Sequence, residues 1–194
     1  MHKIYSFGLA LGLLVTTISA IALAQHHQHS VPTDTTSPYV EQLDSPVRGL
    51  SSQEVDDLLK GRGAGYARVA ELNGYPGPRH VLDLKQELNL STQQERETQI
   101  AFEQMQKEAE RLGQVIVERE HELSRDFAEQ VITDTQLQRQ TQELAKLYSE
   151  LRATHLLAHL RITPLLSAEQ ITKYNELRGY TSLGEQLPAN GHQH

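Results

Sequence analysis

The chain contains no cysteine and no tryptophan, and only three phenylalanines in 194 residues. Without cysteine there is no disulfide to hold the fold, so stability has to come from side-chain packing or from a partner subunit. A lipid anchor attached through cysteine is excluded on the same ground. The shortage of large aromatics argues against a broad aromatic binding cleft. Basic residues are also few: 18 Lys and Arg stand against 25 Asp and Glu, a formal charge of −7. Nothing resembles a basic patch for nucleic acid. Catalytic signatures are missing as well. There is no Gly-x-Ser-x-Gly elbow and no His-Glu-x-x-His. Gly61-Arg62-Gly63-Ala64-Gly65 is glycine-rich, but neither a preceding strand nor a following Lys-Ser/Thr supports phosphate binding. The expectation is a protein that is not an enzyme and requires no cofactor.

What is present begins with a weakly basic start at Lys3 and an apolar run from Ile4 to Ala24, ending in small residues at Ala22 and Ala24. Residues 1–24 therefore read as an export signal cleaved before Gln25; an uncleaved membrane anchor is the alternative. Residues 25–49, interrupted by Pro32, Pro38 and Pro46, read as a flexible linker. Residues 50–180 read as one helical domain and residues 181–194 as a loose tail.

The fold class expected is all-α: a long antiparallel helical hairpin with short flanking helices, working as a dimer. Ser51 and Glu54 form a capping-box pair at the start of a helix running to about Lys60. Gly61, Gly63 and Gly65 mark a break or close-packed bend, and short helices follow at 66–72 and 79–88 around the turn Asn73–Pro78. Ser91 and Gln94 then open a long helix whose apolar seam runs through Phe102, Met105, Ala109, Leu112, Ile116, Leu123 and Phe127. Within it, Gly113 is a poor helix former that permits close approach by another backbone. The chain turns near 132, with Thr133 or Asp134 as the next cap. The same rhythm resumes at Leu137, Leu144, Leu147, Leu151, Ala158, Ile162 and Leu165. Ser167 and Gln170 start the last helix, which has Ile171, Tyr174 and Leu177 on its apolar face and is stopped by Gly179.

Several residues are candidates for function. His155 and His159 are four apart on one helical face, so both rings can approach one divalent ion; neutral imidazoles suit zinc, nickel, cobalt or copper. Further ligands must come from the opposing helix, where Glu103, Gln106, Glu108 and Glu110 lie at the right level, with Glu110 as the third ligand chosen. The competing reading is of two amphipathic residues at the edge of a packed seam. His121 lies too far along the hairpin to join them, and Glu118 with His121 reads as solvated surface. His26, His27, His29, His192 and His194 can capture metal only loosely. Met105 falls in the apolar rhythm and reads as core. From Leu156 to Leu166 apolar residues occupy nearly every face, so Tyr148, Leu156, Leu157 and Leu160 are candidates for a dimer contact or a surface for unfolded chains; the alternative is that they pack on the short helices.

The pattern Leu-Ser-x-x followed by Gln or Glu occurs at 50–54, 90–94 and 166–170. Leu90, Ser91 and Gln94, and Leu166, Ser167 and Gln170, match a Leu-Thr-x-x-Gln motif with Ser in place of Thr, which keeps the capping hydroxyl. Two such motifs around a long hairpin, after an export signal, resemble the periplasmic Spy/CpxP family of stress chaperones and its relatives, the periplasmic heavy-metal resistance and sensor proteins. Residues 73–80 and 177–180 resemble the metal-resistance side. The resemblance covers roughly residues 50–180. It implies a periplasmic envelope-stress role as an ATP-independent chaperone or adaptor, a homodimer binding unfolded proteins or an envelope sensor protein. The alternative it implies is a metal-resistance or sensor protein binding a divalent transition metal.

Overall fold

The computed structural model describes residues 36–45 and 47–180; the export signal, most of the segment read as linker, the tail and the five terminal histidines lie outside the described residues. Every element among the described residues is helical: α1 (Ser52–Leu59), α2 (Arg68–Glu71), α3 (Pro78–Asp83), α4 (Thr92–Ala128), α5 (Asp134–Ile162) and α6 (Ala168–Leu177), with 3-10 turns at Val40–Asp44 and Thr163–Leu165. None of these helices is long and apolar enough to cross a membrane.

Four of the six helices begin with a complete capping box. Ser51, Ser91, Thr133 and Ser167 each accept the backbone N–H three residues on, while Glu54, Gln94, Gln136 and Gln170 reach back to the cap's own N–H. Two otherwise orphaned donors are satisfied at each start, which is why these helices begin where they do. The end of α6 is set by Gly179 at φ +75°; the Tyr180 N–H reaches the Asn175 carbonyl at 2.8 Å and the Gly179 N–H reaches that of Glu176 at 3.0 Å.

Helix α5 runs back along α4. Gln140 donates to Asp126 at 2.8 Å, the Tyr148 hydroxyl to Glu120 at 3.1 Å, and Arg161 to Gln104 at 3.3 Å. Two apolar clusters form on this pair. The first joins Val47, Leu50, Val55 and Leu58 to Ala109, Leu112, Ile116, Leu144 and Leu151. The second joins Val81, Leu88 and Ala101 to Ile162, Leu166 and Tyr174. Helix α1 reaches α4 at Gly113, where a Cβ would overlap the Leu58 carbonyl oxygen. The glycine therefore costs helix propensity in exchange for a backbone contact that no other residue allows.

The second cluster is closed by a reciprocal polar contact. Gln94 Nε2 donates to Gln170 Oε1 at 2.8 Å and to the Leu165 carbonyl at 2.7 Å. Gln170 Nε2 donates to Gln94 Oε1 at 3.1 Å and to the Leu88 carbonyl at 3.1 Å. The two amides that complete the capping boxes of α4 and α6 thus also join those helix starts to each other.

Three expectations need correction. The segment before residue 50 is not linker throughout: Val40–Asp44 is a 3-10 turn, and Val47, only 3 % exposed, belongs to the first cluster. Ser45 makes this possible by donating to the Val47 carbonyl at 2.8 Å and to that of Leu50, so the chain turns inward despite its prolines. Phe127 is exposed rather than part of the seam, because the first cluster ends before the α4–α5 turn. The helix at 79–88 stops at Asp83 and continues as turns to Asn89, which has φ +50°.

Candidate functional site

Between the two apolar clusters, α4 offers residues 102–108 and α5 residues 152–161, and there the interior becomes polar. On α5 the inward positions step through Leu144, Leu151, His155, Ala158 and Ile162 at intervals of three, four and seven, so His155 occupies a seam position. His155 is 2 % exposed and His159 is 5 % exposed. Both line an open-sided cavity of about 440 Å³, bordered by the glycine-rich loop 61–65, helix α2, the start of α3, residues 102–106 of α4 and the end of α6.

The second imidazole is held by a main-chain contact: His159 Nδ1 lies 2.8 Å from the Tyr75 carbonyl. A carbonyl only accepts, so Nδ1 carries a proton, and in the corresponding neutral tautomer the lone pair is on Nε2. That atom and the Glu71 carboxylate both approach Gly77, from different sides. A Cβ at Gly77 would lie 2.7 Å from Glu71 Oε1 and 3.2 Å from His159 Nε2, so only glycine fits between them. Glu71 is itself fixed by the Tyr174 hydroxyl, which donates to the carboxylate at 2.8–2.9 Å and accepts from the Gly77 N–H at 3.3 Å. Burial and the Glu71 carboxylate push the Tyr174 hydroxyl well above the usual phenol range, so it stays a donor.

The other ring, His155, stacks on Tyr66 with ring centres 5.9 Å apart and planes within 8°. Its Nε2 has no hydrogen-bond partner. Burial, with a smaller contribution from the neighbouring His159, lowers its pKa to about 4. Across the cavity His80 is also lowered, mainly by burial and then by the Arg178 charge.

The two sequence-selected histidines are therefore brought together, but the acidic partner chosen for them is not. Glu110 does not line the cavity; its carboxylate accepts from Gln106 Nε2 at 2.9 Å, and Gln106 also reaches the Lys60 carbonyl. Glu103 accepts from Gln99, and Glu108 is paired with Arg111. The carboxylate that does reach the cavity is Glu71, on a four-residue helix with no sequence period to reveal it. No group of three His, Asp or Glu side chains placed to hold a metal ion occurs among the described residues. Met105 lines the cavity rather than packing in a cluster.

The apolar set on α5 also divides. Tyr148 is half-buried: it packs against the first cluster with its hydroxyl on Glu120. Leu156 is half-buried, whereas Leu157 and Leu160 are 49 % and 53 % exposed. His121 faces solvent. No family model matches the chain, and neither a curated protein nor a solved structure shows significant similarity to it.

Because His155 binds a proton less readily in the folded chain, the unfolded chain holds more protons between pH 6.5 and about 4. Stability should therefore fall as pH falls through that window, by about 2 kcal/mol between pH 7.5 and pH 5. Urea unfolding followed by circular dichroism should show this loss in the wild type and a much smaller one in His155→Gln. An equal loss in both would assign the acid sensitivity to other groups.

Proposed function

We propose that this is a periplasmic envelope-stress protein, an ATP-independent chaperone or adaptor whose antiparallel helical hairpin works as a homodimer and offers an apolar face to unfolded chains. The supporting observation is the outward face of α5. Ala153, Leu157, Leu160 and the following Pro164 recur at steps of four, three and four and are all exposed, with half-buried Leu156 beside them. No charged side chain interrupts that row, while Glu150, Arg152 and Arg161 border it. An exposed apolar stripe rimmed by charge suits transient capture of unfolded segments, and it needs neither a nucleotide nor a catalytic group.

Suppression of the aggregation of a thermally unfolded test protein should be lost in the double variant Leu157→Ser, Leu160→Ser. Both side chains are half exposed, so the helix content should remain unchanged. Full activity in the folded double variant would remove α5 as the client surface.

A second reading, binding of a divalent transition metal, is favoured by a different observation: the Tyr75 carbonyl selects the His159 tautomer whose Nε2 can ligate, one helical turn from His155 in a cavity that Glu71 also lines. Calorimetric titration with zinc should then give one-to-one binding that disappears in His155→Ala and His159→Ala. Binding that survives both changes would place any metal elsewhere.

A further inference from the structure

We propose that the outer wall of the same cavity binds a small organic carboxylate, with its charge at Arg68 and Arg178 and its apolar body against Phe102, Met105 and Pro78. The first reason is the sign of the lining. The chain carries a formal charge of −7, yet the charged residues facing this cavity are Arg62, Arg68, Arg79 and Arg178 against the single carboxylate of Glu71. That carboxylate is already engaged by the Tyr174 hydroxyl. Arg62 and Arg79 are likewise engaged, by Asp56 with Asp57 and by Asp83. Among the described residues Arg68 has no ion pair or side-chain hydrogen bond, and Arg178 makes its one hydrogen bond to the Tyr180 hydroxyl and stacks on that ring, with the Glu71 charge acting on it from farther away. Two guanidiniums thus have no carboxylate paired with them among the described residues, and the planar fork of each matches a carboxylate bidentately.

The second reason is the loop beside Arg68. Ala64 has φ +38° and Gly65 φ +82°, and the N–H groups of Gly63, Ala64 and Gly65 donate to no backbone or side-chain acceptor. Consecutive free N–H groups in such a turn form a concavity that favours an anion. The Arg68 guanidinium lies against it: a Cβ on Gly65 would be 3.0 Å from Nη2. The third reason is in the wall, where the buried His155 Nε2 lacks any hydrogen-bond partner among the described residues, a state that costs free energy. A cavity of about 440 Å³ with apolar walls and a few convergent polar groups is of the size and character that hold small molecules. The inference does not depend on the α5 stripe, nor on a metal at the histidines.

Calorimetry on the untagged protein, with a chelator present, would compare benzoate, its neutral isostere benzamide and inorganic phosphate. Benzoate should bind in the cavity about tenfold or more tightly than benzamide, which corresponds to about 1.4 kcal/mol. It should also bind more tightly than phosphate, which has no apolar body. Arg68→Gln and Arg178→Gln should each weaken benzoate binding by about tenfold while leaving the helix signal intact, since both side chains are exposed. Absence of benzoate binding at millimolar concentration would overturn the proposal. Benzamide or phosphate binding as tight as benzoate, or benzoate binding indifferent to both arginine changes, would do the same.

Discussion

The contact between Gln94 and Gln170 is the constraint on which the rest of the structure depends. Each amide first completes the capping box at its own helix start, which fixes its position. Each then donates to the other and to a carbonyl at the far helix start, Leu165 for Gln94 and Leu88 for Gln170. Residues separated by 76 positions are thereby joined at one end of the helix pair. A buried or half-buried amide with all its partners contributes about 1 kcal/mol per bond and fixes geometry; deprived of one, it costs more than that. The link therefore sets where α6 lies. From that position Tyr174 reaches Glu71 and the Gly77 N–H, and Gly77 is held against His159. The cavity wall formed by Glu71 and Gly77 is thus positioned through a chain of four contacts that begins at the two glutamines.

A second consequence concerns where the interior is polar. The two apolar clusters draw on separate stretches of α4 and α5, Ala109–Ile116 with Leu144–Leu151 in one, and Ala101 with Ile162 in the other. Among the described residues, the interval between them is where buried seam positions carry an imidazole. Apolar packing on either side supplies the stability that a polar, partly empty interior does not. The functional groups can then be held by main-chain contacts, as His159 is by Tyr75, rather than by packing.

Much of this was legible because it is local. A Ser or Thr with Gln or Glu three residues later gives each long helix its start, and the predicted caps at Ser51, Ser91, Thr133 and Ser167 are present. Gly113 stood out as a poor helix former on a buried face, and the Leu58 carbonyl occupies the space a side chain would take. The pairing of His155 with His159 follows from helical spacing alone. What depended on long-range geometry was not legible. Counting back from a turn gives the level on the opposing helix but not the face, so Gln106 meets the cavity and Glu110 does not. Glu71 sits on a helix too short to have a period, and the mutual bonding of Gln94 with Gln170 cannot be inferred from either motif. Val47 was hidden among prolines because the inward turn is made by one serine hydroxyl.

The most direct test is a double-mutant cycle on the two glutamines: Gln94→Ala, Gln170→Ala and the pair, each measured by urea unfolding. Losses of the two capping boxes are local to separate helices and should add, whereas the cross-link is lost once in either single variant. A coupling energy of about 1 kcal/mol or more is the result expected if the reciprocal contact holds α6 in place. Additivity within about 0.3 kcal/mol would mean that the two amides act only as separate caps, and that α6 is positioned by its apolar face instead.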